Sequence, residues 1–289
     1  MTNAAVIQPS ITSDKRPNPF VKTFLFVFMI GFVLIWLLPV FGAILTSLRS
    51  MDDLVTNGFW TLPHSLTLRY FGEAWTQGLL GKYLLNSFVI TIPALAGTLF
   101  FSSLCGYALA CFKFKGNFAI YVTFVGGMLL PFQLLMLPVF QLSNFLKIYD
   151  SYLGLIMIHM VFQLGFCTFF LRNFMMTVPG ELAEAARIDG CNEFGIYGRI
   201  YLPLSLPAMA AVGTLEFTWI FNDYLWALVL LKDNNLKPVT TGLSTLQGQY
   251  ITSWNILVAG SLLATIPTVL VFIFLQRYFI EGLTMGSGK

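Results

Sequence analysis

Glu216 and Asp223 are the only charged residues in the apolar stretch 206–231. Seven residues apart on a helix, they share a face, and Trp219 falls between them on nearly the same side. A charge near mid-membrane costs on the order of 2.5–3.5 kcal/mol on insertion scales, so this face has to turn toward a polar path or the interior of a helix bundle. Both readings stand for Asp223, and assembly is the preferred one for Glu216. Gln133, Gln141 and His159 sit in other apolar stretches with the same two readings. As interhelical hydrogen-bond partners such groups contribute about 0.6 kcal/mol each.

The second concentration of chemistry is the charged island 172–205, with Glu181, Glu184, Arg187, Asp189, Glu193 and Arg199. Charged, helix-forming residues between two apolar stretches make a surface for a soluble partner. Catalytic groupings are missing. No G-x-x-x-x-G-K-[ST] loop for ATP occurs, and Gly286 to Lys289 mimics only its end, with no strand before it. Cys105, Cys111, Cys167 and Cys191 lack C-x-x-C spacing and read as small apolar fillers. His64 and His159 are too few and too far apart to hold a metal, and no Ser-His-Asp or Cys-His group suggests an enzyme.

The elements that must carry these residues follow from composition. At 57% hydrophobic and 10% charged, the 289 residues fall outside the soluble globular range. No Asp, Glu, Lys or Arg occurs in residues 23–48, 83–112, 116–146, 151–171 or 238–276. Each run meets or exceeds the roughly 20 residues of a crossing helix. Six spans are expected, at about 24–46, 86–110, 118–140, 152–171, 207–231 and 257–276, with kinks at Pro93, Pro131, Pro138 and Pro267. Alternating ten-residue segments are absent, so a β-barrel fits poorly. The polar tail 1–22 leads into a stretch longer than a signal-peptide core, read as an uncleaved first helix.

With both termini inside, Lys and Arg number ten on inner segments and six on outer ones, which favours cytoplasmic termini and a cytoplasmic 172–205. The net charge of +3 fits this inner bias and gives no reason to expect nucleic-acid binding. Trp60, Tyr70, Phe71 and Trp75 in the outer segment 47–85 favour an interfacial helix, with a substrate-contacting cap as the alternative.

Within the island, Pro179 opens a short helix and Gly190 is placed to close it in the left-handed conformation. Leu182, Ala185, Ala186 and Asp189 share one side, which the paired alanines flatten for close approach. A second helix, from Asn192 to about Tyr201, is amphipathic through Phe194, Tyr197, Ile200 and Tyr201 and stops at Leu202-Pro203.

These residues resemble the permease subunits of ATP-binding-cassette importers that work with a soluble binding protein. The family signature reads E-A-A-x-x-x-G, about nine residues, then I-x-L-P. Glu184, Ala185, Ala186, Gly190, Ile200, Leu202 and Pro203 match it at the same spacing. Asn222 to Trp226, Leu246 to Tyr250 and Gln276 to Thr284 resemble the carbohydrate-uptake branch, and within it the six-span member of an unlike permease pair. The similarity runs from about residue 20 to the C-terminus, and Met285 to Lys289 is a looser version of the family's small-residue tail.

The resemblance implies an all-α, multi-pass protein of a prokaryotic inner membrane, in contact with lipid. A six-helix permease domain, 23–276, would contain the coupling loop 172–205 and be followed by a cytoplasmic tail, 277–289. Its partners would be a second, unlike permease chain, two ATPase subunits and an extracytoplasmic sugar-binding protein. This chain would bind no cofactor, since ATP and Mg belong to the ATPase subunits. Glu181, Glu184, Ala185, Ala186, Asp189, Gly190, Ile200, Leu202 and Pro203 would couple it to the ATPase. Gln133, His159, Glu216, Trp219, Asn222, Asp223 and Trp226 are the candidate sugar path, the indoles offering flat rings to a pyranose. One alternative is a permease for another solute, which a basic pore cluster would favour, yet no Lys or Arg lies within a span. The other is an ion-coupled transporter using Glu216 and Asp223 as a relay.

Overall fold

Apolar runs in this chain become helices because a helix satisfies its own backbone groups where no water can. The computed structural model describes residues 19–245 and 253–284. Residues 1–18 of the expected N-terminal tail, Leu246 to Tyr250 and residues 285–289 lie outside them. All regular structure among the described residues is helical.

Helix α1 (Pro19–Ser47) is exposed along almost its whole length and packs chiefly on the C-terminal helix. The next segment is built around one side chain. Arg49 is fully buried, and its guanidinium donates to the Asp53 carboxylate at 2.6 Å, Gly58 O at 3.0 Å, Thr61 O at 2.9 Å and Thr61 Oγ1 at 2.9 Å. That cation holds the Asp53 carboxyl below the usual carboxylate range. Short helices α2 (Met51–Asn57) and α3 (Arg69–Thr76) flank the knot. Trp60 and Trp75 remain exposed.

Helix α4 (Leu80–Cys111) makes its most extensive contact with α7 (Tyr152–Met175). Gly106 permits their approach, because a Cβ there would sit 3.1 Å from the Arg172 backbone nitrogen and 3.3 Å from the Leu171 Cβ. Between them, the expected third span 118–140 is not one kinked helix. Helix α5 (Asn117–Met128) ends at Leu129–Pro131, and α6 (Met136–Phe145) follows a 3-10 turn at Phe132–Leu135, bent by 95°. Pro131 has no N–H to continue the ladder, and the last turn tightens as Leu129 and Leu130 donate to Gly126 O and Gly127 O. Pro138 falls in the first turn of α6, where no donor is missed.

After α7 the chain forms α8 (Gly180–Ile188), α9 (Glu193–Ile196), a π turn at Tyr197–Tyr201 and α10 (Leu202–Leu204). Pro203 cannot donate to the preceding turn, and the wide turn lies directly before it. The run then bends by 69° into α11 (Leu206–Phe221).

The expected fifth span 207–231 is also interrupted. Helix α11 stops at Phe221, and α12 (Leu225–Leu230) restarts after Asn222–Tyr224. The Asp223 carboxylate accepts from the Trp226 and Ala227 amides at 3.3 and 3.0 Å, which caps α12 and takes Asp223 out of the helix. The chain beyond is pinned in place: Asn86 donates to Asn235 O and Lys237 O, while Asp150 accepts from the Lys232 and Asp233 amides. Helices α13 (Val239–Ser244) and α14 (Trp254–Thr284) complete the described chain. Helices α1, α4, α7 and α14 are long and apolar enough to cross a membrane, and two bent pairs bring the number to six if each pair is one span. Helix α14 runs past the expected boundary at 276.

Candidate functional site

The two interruptions face one another. A cavity of about 450 Å³ opens between the α5–α6 break and the α11–α12 break, with α7 as its third wall. Irregular backbone at membrane depth is tolerated where it lines such a cavity. Asp223 reaches it from one break, with Leu130 and Phe132 reaching it from the other. Helix α7 contributes His159, Phe162, Gln163 and Phe166, which lie on one face at spacings of three and four.

His159 is buried, and its Nε2 stands 3.7 Å from Asp223 Oδ2, too far for a hydrogen bond. Trp226 is buried against Phe162, with ring centroids 4.9 Å apart, whereas Trp219 is half exposed beside Phe166 at 5.3 Å. The wall therefore joins one carboxylate, one imidazole and one amide to indole and phenyl rings, with no Lys or Arg among the lining residues.

The sequence-selected residues divide on this map. His159, Trp219, Asp223 and Trp226 come together at the cavity. Gln133 is exposed in the 3-10 turn and is not in the lining. Asn222 is exposed and donates to Thr218 O at 2.9 Å. Glu216 is buried inside the bundle beside Cys167, away from the lining, and Asp223, beyond the end of α11, does not share a helical face with it. Gln163, Phe162 and Phe166 were not singled out from sequence. The signal available was the Gln163–His159 pair, two polar residues four apart in an apolar run.

The second site is the loop α8–α10. Gly190 takes φ +83°, the Gly190 amide bonds to Arg187 O and the Cys191 amide to Ala186 O, a double closure that leaves a sharp turn after α8. Asn192 caps α9 through the Gly195 amide at 2.8 Å. Helix α8 buries Ala183 and half-buries Ala186 against Tyr107, Met175, Ile196, Tyr197 and Tyr201. Ala186 thus belongs to the inner side, not to the flat outer face expected from its spacing. That outer face carries Glu181, Leu182, Glu184, Ala185, Ile188 and Asp189. Ile200 and Leu202 pack on the same inner cluster, and Pro203 is exposed. Phe194, expected on the buried side of its helix, is 82% exposed.

Known proteins share this architecture. The chain is 37% identical over 278 residues to the arabinooligosaccharides transport system permease protein AraQ of Halalkalibacterium halodurans, covering 95% of this chain and 99% of that one. It is 30% identical to the diacetylchitobiose uptake system permease protein NgcG of Streptomyces coelicolor, covering 87% and 83%. A crystal structure of a bacterial ABC transporter involved in the import of the acidic polysaccharide alginate contains a chain of the same fold, with a TM-score of 0.80 at 22% identity, over 91% of this chain and 98% of that one. The family model described as the binding-protein-dependent transport system inner membrane component matches residues 98–284, a range that holds both the cavity and the α8–α10 loop. The chain belongs to this family of membrane permease components.

Proposed function

We propose that this chain is one permease subunit of an ATP-driven sugar importer. It forms the translocation path with a second, unlike permease chain and receives its drive from ATPase subunits that bind α8. The observation that carries this reading is the construction of α8. The helix is fastened on one side to its own protein by Ala183 and Ala186 and ends in the fixed turn at Gly190. On the other side it presents charged and apolar groups that are exposed among the described residues. Among these, Glu184 and Ala185 sit within the signature match. Such a surface suits a soluble partner, and the inner charge bias supports a cytoplasmic position for it and for both termini. ATP and Mg belong to that partner.

The cavity supports sugar as the cargo. Hydrogen-bonding groups flanked by indole rings suit hydroxyls and the apolar face of a pyranose, and the relatives named above are permease proteins of an arabinooligosaccharides transport system and a diacetylchitobiose uptake system. An extracytoplasmic binding protein would deliver the sugar. The test is a photocrosslinker at Glu184 or Ala185 in whole cells, with the captured protein identified. The expected product is a nucleotide hydrolase joined to this chain. Capture of no hydrolase, or labelling of position 184 only from outside the cell, would end the proposal.

A further inference from the structure

The drive has two routes from α8 into the membrane bundle. Along the chain it must pass the Gly190 turn, the π turn at Tyr197–Tyr201 and the 69° bend before α11, three joints in succession. Across space the route is shorter. Arg187 on α8 grips the first residue of α9, with Nε 2.9 Å from Glu193 Oε1 and Nη2 3.3 Å from Oε2. The same carboxylate accepts from the Tyr107 hydroxyl on α4 at 2.9 Å. One turn away on α4, Ser103 Oγ lies 2.7 Å from the Tyr197 hydroxyl. The Tyr107 ring packs 5.3 Å from Tyr197 and 5.0 Å from Tyr201. Helix α4 in turn lies along α7, the third wall of the cavity.

We infer that Glu193 is a positioning residue that clamps α8 to Tyr107, so that displacement of α8 moves α4 directly and through it the α7 wall of the cavity. The inference rests on the permease reading above. The carboxylate suits this task because it holds two partners from two different helices at once. Arg187 and Glu193 are 43% and 42% exposed, and exposed ion pairs add little to stability. The clamp therefore sets where α8 points and leaves the folding of the loop to its aromatic core.

The test uses the complete transporter in nanodiscs, in a background with the four native cysteines replaced by alanine. A reporter, Gln163→Cys, is placed in the cavity wall and labelled with a maleimide, with and without ATP plus vanadate. In the reporter parent, trapping with vanadate changes the labelling rate. In Tyr107→Phe and in Glu193→Gln that change falls by about two- to fivefold, while complex yield and ATP hydrolysis stay at the parent level. If both variants respond as the parent does, the clamp is overturned and the permease reading survives. If Glu193→Gln loses complex yield, the pair is a folding element and the clamp is again overturned. If vanadate leaves the parent unchanged, the permease reading fails first and takes the clamp with it.

Discussion

Asp223 shows how one side chain can serve the fold and the cavity together. Its carboxylate caps α12 and also faces the cavity opposite His159. These roles separate on substitution. Asp223→Ala removes the cap and is expected to cost about 1 kcal/mol of stability. Asp223→Asn keeps one acceptor oxygen for one of the two amides, which bond to Oδ1 and Oδ2 separately, so the thermal midpoint of the complex should fall less than in Asp223→Ala. If the acid touches the cargo, uptake in Asp223→Asn falls as far as in Asp223→Ala despite the smaller loss of stability; uptake that tracks the midpoint in both variants would reduce Asp223 to a cap. At this scale the sequence was informative where a backbone demand was local. Gly190 is legible because only a residue without a Cβ takes φ +83° at no cost. Phe162 and Phe166 were not, since a phenyl ring in an apolar run looks the same whether it meets lipid or a cavity.

Among the elements, the long helices could be read from uncharged runs and the two breaks could not. Pro131 looks in the sequence like Pro93 and Pro267, yet those two sit inside continuous helices, α4 and α14. What distinguishes it is the Gly126-Gly127 pair one turn earlier, whose weak helix propensity lets the last turn tighten and stop. The second break depends on Asp223 capturing amides ahead of it, a competition that hydropathy does not register. The α4–α7 contact carries its own prediction. Gly106→Val puts branched carbons against the Arg172 backbone, and overpacking of this kind typically costs 1–3 kcal/mol. Detergent-solubilised Gly106→Val should therefore melt several degrees lower, and a midpoint equal to wild type would show that α4 and α7 have room to separate.

For the molecule as a whole, the four helices long and apolar enough to cross a membrane, and the two bent pairs that make six if each is one span, fall in or beside apolar stretches legible in the sequence. The expected direction of insertion rests on the ten-to-six distribution of Lys and Arg. The helix that leads the chain was legible only as a crossing. Its packing was not legible: α1 rests chiefly on α14 and leaves the rest of its surface exposed. The knot around Arg49 bears on the same question of sidedness. Its guanidinium nitrogens are spent on Asp53 in α2 and on Gly58 and Thr61 in the loop that follows, whereas Arg69 twenty residues later has a side chain 76% exposed. A protease that cuts after basic residues should meet these two arginines as opposites. Trypsin applied to the outer face of spheroplasts is expected to clip at Arg69 and to spare Arg49, and Arg49→Lys, with three donors in place of five, should open the second site to digestion. The loop thus carries its own gauge of integrity, readable as a fragment length on a gel.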